Sequence, residues 1–196
     1  MLKVNDLKLE RGGKVLFSNL SFELNKGEVL QILGRNGSGK SSLAAILAGD
    51  LKAQSGEVKY SNFELNIPNE MAKHLGVLFQ NTEVDFAIAV NEYIQMANPK
   101  NPTSEAIEKL KLENSSDKPI TKLSAGQLQR VQIAQLLHQD PEVLILDEPF
   151  SAQDKEHTEL LINLFSELKH RGKTLVLINH IDLDLKGLVD NTLNLG

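Results

Sequence analysis

The chain has 196 residues, enough for one domain with a sizeable core, and no cysteine, which excludes disulfides, thiolate metal sites and cysteine nucleophiles. A formal net charge of −5 disfavours general binding to nucleic acid or anionic lipid. The 41% hydrophobic and 24% charged composition is that of an ordinary globular protein, and the five histidines show no metal-ligand spacing.

The opening MLKVNDLKLERGG has no apolar run of the signal-peptide kind. It reads as strands instead. Leu7 and Leu9, Val15 and Phe17, then Leu20, Phe22 and Leu24 alternate with polar residues, and Gly12-Gly13 marks a turn. Glu28–Leu33 predicts a mostly buried strand that runs into a glycine-rich loop, Gly34–Gly39. A helix follows with Leu43, Ile46 and Leu47 on one face and Gly49 as its stop. Gly56–Tyr60 and Gly76–Phe79 predict two further strands.

From 81 to 122 the pattern changes to helical spacing at Val90, Tyr93 and Ile94, and again at Ile107 and Leu110, interrupted by two Asn-Pro steps. This predicts a small helical lobe inserted into a sheet domain that spans 1–196. The next helix runs from Ser124 to about His138, with Leu128, Val131, Ala134 and Leu137 inward and Asp140-Pro141 ending it. Val143–Leu146 and Thr174–Asn179 are continuous apolar strands of the doubly buried kind. Between them a helix carries Leu161, Leu164, Phe165 and Leu168 and stops at Gly172. Strands alternating with helices predict an α/β fold with a mainly parallel sheet, preceded by an antiparallel part. The apolar runs are strand-length. A membrane helix needs about 20 such residues, so any pathway across a membrane would belong to another chain.

Three segments carry chemistry. Gly34-Arg35-Asn36-Gly37-Ser38-Gly39-Lys40-Ser41 has the P-loop pattern, between a strand and a helix as that pattern requires. Its glycines let backbone N–H groups converge on phosphate at a helix N-terminus. Lys40 suits the β- and γ-phosphates and Ser41 suits Mg²⁺. Asp147-Glu148 closes the strand Val143–Leu146 at the edge where ligands of open α/β sheets bind. Asp147 suits the metal shell and Glu148 can polarise a water; a solvated acidic turn is the bland alternative. Leu123-Ser124-Ala125-Gly126-Gln127 reads as a capping box, and a capped helix start with an early glycine is also an anion site.

In this order the segments resemble the ATP-binding subunits of ABC transporters over nearly the whole chain. Leu123–Gln127 is similar to their LSGGQ signature with Ala125 for the first glycine. Gln80 is similar to the Q-loop glutamine, Ser151-Ala152-Gln153-Asp154 to the D-loop, and His180 to the switch histidine. The resemblance implies a P-loop NTPase (RecA-like) fold and Mg²⁺-dependent ATP hydrolysis. It implies two copies, or this chain and a paralogous ATPase subunit, packed head to tail with each P-loop facing the partner's signature. Ser124, Ala125, Gly126 and Gln127 would then act in trans, with Ser151 and Asp154 nearby. Ser42 would join the nucleotide site. Glu148 would be the base, His180 would hold the γ-phosphate and water, and Gln80 would sense the metal and link the site to the lobe. The lobe would dock on an integral-membrane permease, which places the subunit in the cytoplasm, peripheral on the inner face of the cell membrane. Arg11 stands where many relatives stack adenine on an aromatic ring. A guanidinium plane can stack on a base, or it can be a solvated turn residue.

The runner-up is a non-transport ABC ATPase. One P-loop, a short spacing to the signature and no heptads argue against the translation and DNA-repair types, and no N-K-x-D guanine motif is present. For cargo, Val15–Phe22, the LSAGQ spelling, Leu146–Phe150, Arg11 and the short length resemble the ATPase of the cytochrome c maturation haem exporter. Val77–Gln80 through Val84-Asp85-Phe86 to Val90 resembles importers of metals, metal chelates or cobalamin.

Overall fold

A computed structural model describes residues 1–65, 67–80, 84, 86–180, 183, 185 and 187–196. The predicted start of the lobe at Asn81, and Asp85 of the importer-like segment, lie outside the described residues.

The first three strands of the sequence pattern resolve into two long ones. β1 (Leu2–Arg11) and β2 (Lys14–Leu24) form a hairpin across the Gly12-Gly13 turn. They join β4 (Ser55–Tyr60) in an antiparallel sheet of order β2-β1-β4. The second sheet has five parallel strands in the order β5-β6-β7-β3-β8. These are β3 (Val29–Gly34), β5 (Leu75–Leu78), β6 (Val143–Asp147), β7 (Thr174–Asn179) and β8 (Asn191–Leu195). Every residue of β6 and β7 is buried, as their unbroken apolar runs require.

Alternation along these strands feeds two apolar clusters, one on each face. Leu30, Ile32, Ile145, Val176 and Ile178 pack with α1 (Lys40–Leu47) and the antiparallel sheet. Leu144, Leu146, Leu175 and Leu177 pack with α5 (Ala125–Gln139) and α6 (Lys155–His170). Phe165 of α6 is fully buried and meets Phe150 edge-on, ring centroids 5.7 Å apart. A side chain of that size stabilises by about 1.5–3 kcal/mol through burial.

Between β5 and α5 lie α3 (Val90–Gln95), α4 (Ser104–Lys109) and two 3-10 turns at Glu113–Ser115 and Ile120–Lys122. Their apolar residues Val90, Ile94, Ile107, Leu110 and Ile120 belong to the same cluster as α5 and α6. Three α5 side chains also grip backbone carbonyls there. Arg130 Nη1 donates to Leu110 O (3.1 Å), Gln135 Nε2 to Tyr93 O (2.8 Å), and His138 Nε2 lies 2.8 Å from Asn98 O. The burial of α5 accordingly departs from the single predicted stripe. Val131 and Ala134 are buried, Leu128 and Leu137 only partly, and Ile133 and Leu136 are buried in addition. A helix packed between a sheet and other helices has more than one inward face.

The periodicity misses two elements. α2 (Pro68–His74) is short, with Pro68 at its start. β8 carries only two leucines in five residues because it is a sheet edge, largely exposed.

Candidate active site

Of the residues singled out from sequence, Gly34–Ser42, Gln80, Asp147, Glu148 and His180 lie at the carboxyl edge of the parallel sheet, where β3, β5, β6 and β7 end at Gly34, Leu78, Asp147 and Asn179. Side by side, those ends open on a cleft of about 520 Å³. Asn36, Gly37, Gly39, Lys40, Ser41 and Ser42 line it, together with Arg11, Leu16, Gln80 and Glu148. Another cavity of about 430 Å³, beside α4 and the ends of α5 and α6, has its lysines and arginine already engaged. Lys109 and Arg171 pair with Glu167, and Lys173 with Asp140.

The loop is held open by its glycines and by Lys40. Gly39 caps α1 at φ +99°, where an L side chain is strained, and a β-carbon there would lie 3.1 Å from Leu16 Cβ and 3.3 Å from the Phe17 ring. Lys40 is only 6% exposed, and its ammonium donates to Gly34 O (2.7 Å) and Arg35 O (3.2 Å). An ammonium has three donors, so one remains for a phosphate oxygen. Gly34, Arg35 and Ser38 thus shape the loop from behind; Ser38 N–H donates to Arg35 O at 3.1 Å.

Asp147 is 1% exposed and neither carboxylate oxygen has a hydrogen-bond partner. Burial pushes its pKa up. The nearby Ser41 hydroxyl, short of full hydrogen-bond geometry, and the Lys40 charge pull it partly back, while the Glu148 charge raises it further. An unpartnered buried carboxylate is costly unless a cation completes it. A hard oxygen donor set of Asp147 and Ser41 with Gln80 across the cleft suits Mg²⁺. Among the described residues no group of three or more His, Cys, Asp or Glu forms a metal cage by itself.

Glu148 follows β6 with a left-handed backbone, φ +57°, and is 6% exposed. Its N–H donates to Ile178 O at 2.8 Å, which fixes the turn against β7. His180 follows β7, and its Nδ1 lies 2.6 Å from Glu148 Oε2. A carboxylate oxygen accepts, so the imidazole Nδ1–H is the donor. The structure therefore places His180 on Glu148, the expected base.

The signature segment lies elsewhere. Ser124 caps α5 as predicted: Gln127 N–H donates to Ser124 Oγ (3.2 Å) and Ser124 N–H to Gln127 Oε1 (3.0 Å). None of Ser124, Ala125, Gly126 or Gln127 lines the cleft. Gly126 also has a role within its own chain, since a β-carbon there would collide with Ala152 O. Ser151 N–H donates to Glu148 O (3.1 Å), and Asp154 caps α6 by accepting from His157 N–H (2.9 Å). Three residues escape the sequence reading. Gly12 and Leu16 line the cleft beside Arg11, hidden because they read as an ordinary turn glycine and an ordinary strand position. Gln129 reaches the Glu148 carbonyl, hidden because helical periodicity says nothing about a polar residue's partner.

The ABC transporter family matches residues 17–151. Over 193 residues the chain is 34% identical to the energy-coupling factor transporter ATP-binding protein EcfA1 of Fusobacterium nucleatum, covering 92% of this chain and 73% of that protein. It is 36% identical over 200 residues to the hemin import ATP-binding protein HmuV of Escherichia coli O157:H7 (94% and 78%). It is 33% identical over 196 residues to the cytochrome c biogenesis ATP-binding export protein CcmA of Shewanella frigidimarina (94% and 88%). Among solved structures it superposes on a dimeric post-hydrolysis state of the ATP-binding cassette MJ0796 bound to ADP and Pi, with TM-score 0.85 and 25% identity over 100% of this chain and 94% of that one. With the P-loop, the Asp147-Glu148 edge and the fold in agreement, the chain belongs to the ABC transporter family as one of its ATP-binding, ATP-hydrolysing subunits.

Proposed function

We propose that two copies of this subunit, or this chain and a paralogue, close head to tail around two ATP molecules and drive a separate membrane permease. The observation that carries this reading is the separation of the two half-sites. One chain lines its cleft with the P-loop, Gln80 and Glu148, while its Ser124–Gln127 turn faces elsewhere. A second copy would bring that turn to the γ-phosphate, with Ser124 and the α5 N-terminus supplying donors. The nucleotide's phosphates would sit in the loop Gly34–Ser42, under Lys40, with the base near Arg11 and Leu16.

Mg²⁺ would be held by Ser41 and Asp147, with Gln80 close by, and bound there it would neutralise charge on the β- and γ-oxygens. Glu148 would orient the attacking water and accept its proton as ADP departs, and phosphate is the second product. His180, hydrogen-bonded to Glu148, would keep that carboxylate aimed and would hold the γ-phosphate and water.

No described helix is long and apolar enough to cross a membrane, so the pathway would belong to the permease. The segment 81–122 would be its docking lobe within a single domain 1–196, and the subunit would be peripheral on the cytoplasmic face. For cargo, the two classes read from sequence stand, a haem-export-like and a metal-, metal-chelate- or cobalamin-import-like system; the relatives that favour them include a cytochrome c biogenesis export protein and a hemin import protein. The test is light scattering of Glu148→Gln with and without ATP and Mg²⁺, repeated with Ser124→Arg added. ATP should drive dimers that Ser124→Arg abolishes. Dimers that persist with Ser124→Arg would show that the signature does not face nucleotide across the interface.

A further inference from the structure

Glu148 sits in the left-handed region, which a residue with a β-carbon keeps only when its surroundings hold it there. Its N–H is tied to β7 through Ile178 O. Its carbonyl accepts from Ser151 N–H at 3.1 Å and from Gln129 Nε2 at 2.9 Å. Gln129 stands one turn beyond Gly126 on α5, on the same helical face. Its amide is itself braced. Gln153 Nε2 donates to Gln129 Oε1 at 2.7 Å and to Gly126 O at 3.1 Å. The close approach of Gly126 to Ala152 O presses the same two segments together. The amide orientations follow from the chain of bonds. Turning either one would set donor against donor or oxygen against oxygen.

We infer that Gln129, braced by Gln153, is a positioning residue for Glu148: it fixes the peptide that aims the carboxylate and ties it to the signature turn. This rests on the reading in which Glu148 acts on water. Gln129 touches neither the cleft nor the reacting atoms, so it acts only through Glu148. Its loss therefore reduces the rate of the chemical step and leaves nucleotide affinity alone.

Gln129→Glu tests this in the full chain. The variant keeps the shape and the acceptor for Gln153, but it removes the donor and sets a carboxylate oxygen against the Glu148 carbonyl. The expected result is a fall in kcat of about tenfold, what one partly buried hydrogen bond supplies, with ATP affinity by calorimetry changed less than about twofold. The same substitution on a Glu148→Gln background should change the residual turnover by less than about twofold, because the group it positions is already gone. Gln153→Leu, which keeps the volume, should show the same dependence on background with a smaller fall, and it serves alone if Gln129→Glu does not fold. An equal fractional loss in both backgrounds, an unchanged kcat, or a loss of ATP affinity at unchanged kcat would overturn the inference. A Glu148→Gln variant that turns over ATP at the normal rate would instead sink the reading beneath it.

Discussion

The two edges of the parallel sheet treat charge in different ways. At the amino edge, charged groups have partners. Glu142, ahead of β6, accepts from Asn62 Nδ2 at 2.8 Å and lies 2.8 Å from His74 Nδ1. Asp190, ahead of β8, accepts from Val29 N–H at 2.8 Å and from Lys169 at 2.7 Å. Lys173, ahead of β7, pairs with Asp140 at 2.6 Å. At the carboxyl edge, Asp147 has no hydrogen-bond partner, Glu148 holds a left-handed backbone, and Lys40 rests on carbonyl oxygens instead of a carboxylate. The titrations follow. Hydrogen bonds from Asn62 and His74 hold Glu142 below the usual carboxylate range. Burial opposes the same shift at Asp190, but Lys169 and the Val29 N–H outweigh it. Burial wins at Asp147 and raises it. One edge is finished within the chain, and the other is left for a ligand to finish.

The contrast breaks most visibly at Glu148. Glu148→Gln keeps size and hydrogen bonding but removes the charge, so turnover should fall by roughly 10²–10⁴-fold while ATP still binds. A phosphate-release assay checks the rate, and calorimetry checks the binding. A variant as fast as the parent would place the base elsewhere.

Asp147→Asn sharpens the contrast in a second way. It removes an unpartnered buried charge, so the nucleotide-free protein should melt about 2–4 °C higher, as a gain near 1 kcal/mol implies for a chain of this size. The added stabilisation by ATP and Mg²⁺ should shrink in the same variant. The sign with pH is fixed by the raised folded pKa. The folded state binds more protons than the unfolded one, so the Asp147 penalty is present above its folded pKa, shrinks as pH falls through that value and vanishes below 3.8, the unfolded value. The advantage of Asp147→Asn should therefore fade on acidification, which melting curves across that range would reveal.

The smallest effect belongs to the amino edge. Asp190→Asn should cost less than about 1 kcal/mol, since its ion pair is a third exposed, and should leave ATP affinity unchanged. Its folded pKa is lowered, so its contribution is present above 3.8 and is lost as pH falls through the folded value, opposite in sign to Asp147. Denaturant melts at neutral and acid pH compare the two. An Asp190→Asn variant with weakened ATP binding would erase the distinction between the edges.

The carboxyl edge was the more legible of the two in the sequence. The P-loop spacing, Asp147-Glu148 after an apolar run, and His180 closing another are local patterns, and local patterns survive without coordinates. Both buried strands and both long helices were legible for the same reason. The amino edge was invisible because its pairs join distant residues, such as His74 with Glu142 and Asp190 with Val29. The pairing of His180 with Glu148, and the reach of Gln129 to the Glu148 carbonyl, were hidden likewise. The strand β8 escaped because an exposed edge needs little apolar patterning.

The most direct measurement compares two lysines, one at each edge. Calorimetric titration of ATP with Mg²⁺ into Lys40→Ala and Lys173→Ala sets the cation over the P-loop against the cation paired with Asp140. Removing charge-assisted bonds to phosphate should weaken ATP at least about tenfold in Lys40→Ala, while Lys173→Ala should bind within about twofold of the parent. ATP affinity unchanged in Lys40→Ala would contradict the assignment of the carboxyl edge as the nucleotide site.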